Sequence, residues 1–347
     1  MMLERIAPQG ERRRRWLTSV ASAALIVLAL VFVVANRNEL PTIAAALKGT
    51  NPYSLAAIVA LTAVAVLNYC AMFRASYRVL GLRLSGRDAV MLGLGALFVN
   101  QVSKSSGMGG IGLFLRHGRQ QGDDLGKVAA AYVLATITGH LSFAVVLVAA
   151  LVAAWADGQL HRAELIAALI FAVYFCVQAA AVVAAFQSRG ATRWLFRIPK
   201  KLLSTARRRP FDAASHSDAT ADELFEAVGL IRRGPMRVIP PAIHALAWEA
   251  LAILTLWLVV YAVGGKVSLA VALVAYAISV LFSIVGILPA GAGTAEASLG
   301  AVLVAFGLPV ATATAATLVY RLFDTWVPFV LGAIAARQLS TNIAVPP

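Results

Sequence analysis

The sequence predicts an all-α polytopic membrane protein, and three observations carry that reading. The 347 residues are 60% hydrophobic and 13% charged, with a mean hydropathy of +0.80, whereas soluble domains carry roughly 25% charged residues. The apolar residues gather into runs near the roughly 20 residues that a bilayer crossing needs. The positive charges fall between those runs. A net charge of +14 would by itself suggest nucleic acid, but clustering at the ends of apolar runs is what the positive-inside rule produces. No nucleic-acid partner is expected.

Six runs read as full spans: 16–35, 54–73, 127–155, 164–186, 238–263 and 309–336. The first follows Arg12 to Arg15 and has the outline of a signal peptide. Its apolar stretch exceeds the roughly 7–15 residues of a secretory core, so it reads as an uncleaved span. Two further segments, 88–121 and 267–308, are apolar but broken at Ser103–Gly112 and at Leu288–Gly293. Lipid-exposed loops do not survive at mid-membrane depth, because their backbone N–H and C=O groups go unbonded. The breaks are therefore expected to be tips of re-entrant hairpins that are buried in protein or line a wet cavity. The alternative is two ordinary crossings in which Gly allows close helix packing.

Charge orients the chain. With the N-terminus in the cytoplasm and 88–121 entering and leaving there, Lys104 and Arg321 fall inside the membrane. Arg37, Lys48, Arg162 and Lys266 lie outside, and the remaining twenty-four of the 30 Lys and Arg face the cytoplasm. The same layout opens 267–308 from the outside. About six full spans plus two oppositely oriented re-entrant hairpins form an inverted-topology repeat, as in several alternating-access transporters. The organisation is one transmembrane domain over 1–347, with a first repeat at about 54–155, a cytoplasmic amphipathic linker at about 187–237 and a second repeat at about 238–336. In the linker, Trp194, Phe196 and Ile198 interleave with Arg193, Arg197 and Lys200. Residues 189–209 are expected to bind anionic lipids of the inner leaflet. The expected location is the cell inner (cytoplasmic) membrane, with both termini cytoplasmic.

The two tips hold the candidate binding residues. In the second, Pro289 ends the incoming helix, Gly291 and Gly293 permit a tight turn, and Thr294 can cap the outgoing helix. The free N–H groups of that helix start suit a phosphate or carboxylate. Glu296, in its first turn, can bind a cation, shuttle a proton or cap. In the first tip, Lys104, Ser105, Ser106, Gly109 and Gly110 combine hydroxyls, amides and one cation into an anion nest, and Arg116 follows on the return helix. Snorkelling to a headgroup is the plain alternative for Lys104, and a positive anchor is that for Arg116. Arg321 sits mid-span, where a cation costs at least roughly 2.5–3.5 kcal/mol. Asp324, three residues on, is its nearest sequence partner. Arg321 is the expected main cation for a lipid phosphate.

Glu249, His140 and His244 are weaker candidates, and Asn68 and Gln178 read as interhelical glue. Cys70 and Cys176 each sit in an apolar run, so neither a disulfide nor a metal site is expected. Phosphate-loop and metalloprotease motifs do not occur, and the carboxylates are too scattered for a two-metal site. No cofactor, no catalytic residue and no enzymatic activity are expected.

Pro289-Ala-Gly-Ala-Gly-Thr-Ala-Glu296, then Arg321-Leu-Phe-Asp-Thr-Trp326-Val-Pro328 and Gly332, resemble the C-terminal signature of the lysylphosphatidylglycerol synthase transmembrane-region family. Asn100 with Gly112-Leu-Phe-Leu-Arg116 resembles the family's first-half motif. Two positions depart from it: Lys104-Ser105-Ser106 replaces the usual Pro near the tip, and Leu113 replaces the usual acidic residue. The resemblance implies a flippase-like membrane domain. The family's synthase activity resides in a separate soluble domain that is not expected here. The expected function is a lipid flippase or transporter that moves an anionic or phosphate-bearing headgroup across the membrane by alternating access. A phospholipid or polyprenyl-phosphate-type lipid is the partner, and a homo-oligomer or a separate synthase partner stays open. The alternative is a membrane-embedded enzyme or an accessory subunit in lipid or lipid-linked glycan synthesis.

Overall fold

A computed structural model describes residues 46–103, 107–156, 234–285 and 293–341, with positions 169, 172, 173, 176 and 180. The span expected at 16–35, most of that expected at 164–186, most of the linker including 189–209, and Lys104, Ser105, Ser106 and Gly291 lie outside the described residues. What is described is helical, with no strand among the described residues. The order is α1 (Pro52–Val79), α2 (Gly86–Ser103), α3 (Ile111–Gln121), α4 (Leu125–Ala156), a 3-10 turn (Pro235–Val238), α5 (Ile239–Ala262), α6 (Leu269–Val285), α7 (Thr294–Ala305), α8 (Val310–Arg321), a π-helical turn (Leu322–Trp326) and α9 (Val327–Thr341). Among the described residues, four stretches are long and apolar enough to cross a membrane: 52–79, 125–156, 236–262 and 310–339. They match four of the six expected spans.

Both halves are punctuated alike. α1 ends at Gly81 (φ 74°) and α5 at Gly264 (φ 86°), the left-handed conformation that Gly adopts without steric cost. Four residues on, Ser85 accepts the Asp88 N–H at 3.1 Å and Ser268 accepts the Val271 N–H at 3.2 Å, so a serine starts the next helix each time. The second arms stop at Gly122 (φ 76°) and Gly307 (φ 91°). Asp124 then caps α4 by accepting the Lys127 N–H at 3.0 Å. A single spacing of 183 residues separates Gly81 from Gly264, Ser85 from Ser268 and Gly110 from Gly293.

The short helices form hairpins. His117 Nε2 at the end of α3 lies 4.0 Å from Asp88 Oδ2 at the start of α2, so the first hairpin returns to where it began. In the second, a Cβ placed on Gly265, ahead of α6, would stand 3.2 Å from Leu308, just past α7. α6 and α7 are also tied near their turn, where Ser279 Oγ donates to the Ala295 carbonyl at 3.1 Å.

α1 and α5 pack side by side and antiparallel. Asn68 Nδ2 donates to the His244 carbonyl at 2.7 Å and Asn68 Oδ1 meets His244 Nδ1 at 2.7 Å, while Thr62 and Val66 share a small cavity with Ala252 and Thr255. Asn68 is thus interhelical glue, as expected. Across the halves, α2 packs on α9 and α6 on α4. These contacts are close because small residues permit them, the usual means of helix association where lipid offers no hydrophobic drive. A Cβ on Gly332 of α9 would sit 2.5 Å from the Leu94 carbonyl of α2; within the first half, one on Gly93 of α2 would sit 2.7 Å from Cys70 Sγ of α1. The other face of α4 exposes Leu141, Val145, Val148, Val152 and Trp155, a helical stripe of apolar side chains suited to lipid.

Candidate functional site

The two tips are fastened by the same device in different chemistry. In the first, Asn100 Oδ1 on α2 accepts the Gly110 N–H at 2.8 Å. Asn100 Nδ2 donates to Tyr132 Oη on α4 at 3.2 Å, and that phenol donates in turn to the Gly107 carbonyl at 2.5 Å. Phe73, Phe114 and Tyr132 pack with centroid separations of 4.7–5.5 Å and hold the phenol in place. Gly110 has no room for a side chain: a Cβ would lie 2.6 Å from both Ala96 and Tyr132 Oη. Gly109 stands in the same turn.

In the second tip, Glu296 Oε2 accepts the Gly293 N–H at 2.7 Å while its Oε1 accepts from Arg321 Nε, also at 2.7 Å. Gly293, at φ 82°, is the N-cap of α7. Thr294 was expected to cap; it is instead the first helical residue, and its Oγ1 donates back to the Phe282 carbonyl at 3.2 Å. The reason is the left-handed turn at Gly293, which only a Gly makes cheaply and which moves the boundary one residue earlier.

Arg321 is buried, with 6% exposure. Its sequence-local partner is not its closest one. Arg321 Nη1 lies 3.9 Å from Asp324 Oδ2, against 2.7 Å to Glu296. The local i+3 argument missed the Glu296 pair because it crosses from the tip to the last span. The π-helical turn begins just after Arg321 and carries Asp324. Such bulges recur at functional sites. In a membrane they are tolerated where backbone is buried or lines a cavity.

Asp324 borders the small cavity between α1 and α5 and two more spacious ones. The larger, about 330 Å³, lies between the halves: Asn100, Gly107 and His140 line it from the first, and Glu249, Tyr276 and Asp324 from the second. The smaller, about 170 Å³, is lined by Gln101, Ser279, Ser283, Tyr320, Arg321 and Asp324 among others. Gln101, Tyr276 and Asp324 border both. Glu249 was a weak candidate on sequence, one acid in an unbroken apolar run. The structure buries it at 5% exposure with the Tyr276 hydroxyl donating to it at 2.7 Å. Tyr69 and Trp248 meet at 5.1 Å on the same wall. A carboxylate beside aromatic faces suits a cation, and hydroxyls beside a guanidinium suit an anion.

Of the sequence-predicted residues, the fold brings Gly293, Glu296, Arg321 and Asp324 together. Gly110 is bonded to Asn100, which lines the larger cavity, but does not itself line it. Arg116 lies half-buried on α3 and does not line either cavity. Asn100, noted in the sequence only for its motif resemblance, is joined by Tyr132 and Gln101 unannounced, since each of these two is an ordinary polar residue inside an apolar helix. The 183-residue register of Gly110 and Gly293 is the signal that would have found the first latch.

No curated protein matches the chain. The family model described as lysylphosphatidylglycerol synthase TM region matches residues 19–332, and so the chain belongs to that membrane-domain family.

Proposed function

We propose that this protein is a lipid flippase that passes a phosphate-bearing headgroup through the cavities between its halves while the tails stay in the bilayer. Membership of a lipid-related membrane family sets the class. The observation that carries the reading is the cavity of about 330 Å³ built jointly by both halves and joined to Arg321 through Asp324. The arms α3 and α7, of 11 and 12 residues, reach about 16 and 18 Å, short of a hydrocarbon core of about 30 Å. Together with hairpins that close on themselves, this supports re-entry. Antiparallel α1 and α5 place the two hairpin openings at opposite ends, which supports the inverted repeat. Rocking of one half against the other then exposes the cavity to each leaflet in turn.

The headgroup's phosphate sits against Arg321 and the hydroxyls of the smaller cavity. Glu249 and Asp324, set among aromatic rings, leave room for an amine on the headgroup beside the phosphate, which is the group the site requires. No catalytic step is needed, and the location is the cytoplasmic membrane with both termini inside.

The test is reconstitution. Purified protein in proteoliposomes should flip a fluorescent aminophospholipid, read by dithionite quenching, above empty vesicles. Mass spectrometry of the same lipids should return them unchanged. A covalently altered lipid without flipping would make the protein an enzyme instead.

A further inference from the structure

The flippase reading leaves open how occupancy of the site moves anything, and the second tip supplies a route. One carboxylate, Glu296, holds the tip through Gly293 N–H and holds Arg321 through Nε, each at 2.7 Å. Arg321 also lines the smaller cavity, where the headgroup phosphate is placed. Asp324, at 3.9 Å, is too distant to hold the guanidinium as firmly as Glu296 does.

Resting on that placement, we infer that the ligand phosphate and Glu296 compete for Arg321, so that filling the site unlatches the Gly293 tip. A guanidinium presents N–H groups in a fixed fork that matches two phosphate oxygens. Turning that fork towards the cavity takes Nε away from Glu296. The carboxylate, whose side chain is 19% exposed, is then a poorly compensated charge, which is strongly unfavourable in a low-dielectric setting. It relaxes only by leaving the tip, and with it goes the hydrogen bond on Gly293. Ser279 Oγ to the Ala295 carbonyl at 3.1 Å and Thr294 Oγ1 to the Phe282 carbonyl at 3.2 Å stay in place, and both are bonds between neutral groups. Among the described residues the first tip has no equivalent exchange, because Asn100 and Tyr132 carry no charge for a phosphate to capture. Glu296 is a positioning residue in this scheme, and Arg321 is the one that touches the ligand.

Hydrogen–deuterium exchange of the full chain in nanodiscs tests this without any substitution. Discs of phosphatidylglycerol are compared with discs of the phosphate-free diglucosyldiacylglycerol. Amides in the first turn of α7 (293–297) should exchange about tenfold faster in the phosphatidylglycerol discs, while those at 107–113 stay the same in both. In Glu296→Gln the α7 turn should exchange fast in both lipids. Equal exchange of the wild-type turn in the two lipids, or an equal change at both tips, overturns the inference. Flipping of the same phosphatidylglycerol in proteoliposomes separates the failures. Transport with lipid-independent exchange overturns the latch alone. Phosphate-dependent exchange without transport overturns the flippase reading alone.

Discussion

Among the described residues the first tip is held by neutral groups and the second by ions, although both secure the N–H of a glycine at matched positions, Gly110 and Gly293. Neutral hydrogen bonds within a membrane are worth little individually, about 0.6 kcal/mol on average, so the first tip depends on crowding: Phe73, Phe114 and Tyr132 wall it in. The second tip has open space at Gly293, with nothing within 4 Å of an added Cβ, and depends on charge. The difference teaches that one fold can secure the same turn by packing on one side and by an ion pair on the other. Packing cannot be competed away by a solute, whereas an ion pair can.

That contrast can be broken first at its ionic end. Arg321→Ala leaves Glu296 and Asp324 without their cation and should cost about 3–5 kcal/mol, the usual penalty for halving a buried pair. Thermal unfolding in detergent would show this as the largest loss among these variants, accompanied by loss of transport. Gly110→Ala should cost about 1–3 kcal/mol through overpacking against Ala96 and Tyr132, and Gly110→Asn no less.

Gly293→Ala should cost about 1–2 kcal/mol through its left-handed backbone alone. Gly293→Asn should recover part of that, since Asn tolerates the conformation. Equal tolerance of Asn at both glycines would erase the distinction between a crowded tip and an open one. Tyr132→Phe should be mildest, about 0.6–1.7 kcal/mol, and its effect on stability should not vary with salt.

Much of this architecture was legible in the sequence, for reasons that also explain the gaps. Hydropathy located the four described spans to within a few residues, and Gly-rich interruptions located both tips, because lipid permits few ways to satisfy backbone. Arg321 was legible as a residue that needs a buried partner, because an intramembrane cation is costly wherever it points. Its partner was not, since the Glu296 pair depends on how the second hairpin folds against the last span. Glu249 and Tyr132 were hidden for a related reason: a single polar group in an apolar helix looks the same whether it faces lipid, a neighbour or a cavity. The linker at 189–209 and Lys104 lie outside the described residues and stay expectations.

The central claim, that the headgroup sits between the halves, is tested most directly by photocrosslinking. A phospholipid with a diazirine on its headgroup is irradiated in proteoliposomes, and the adducts are mapped by peptide sequencing. The account predicts labels from both halves, at 100–107 or 136–140 together with 245–249 or 276–284. Labels confined to the outward stripe of α4, at Val145, Val148 and Val152, would contradict it.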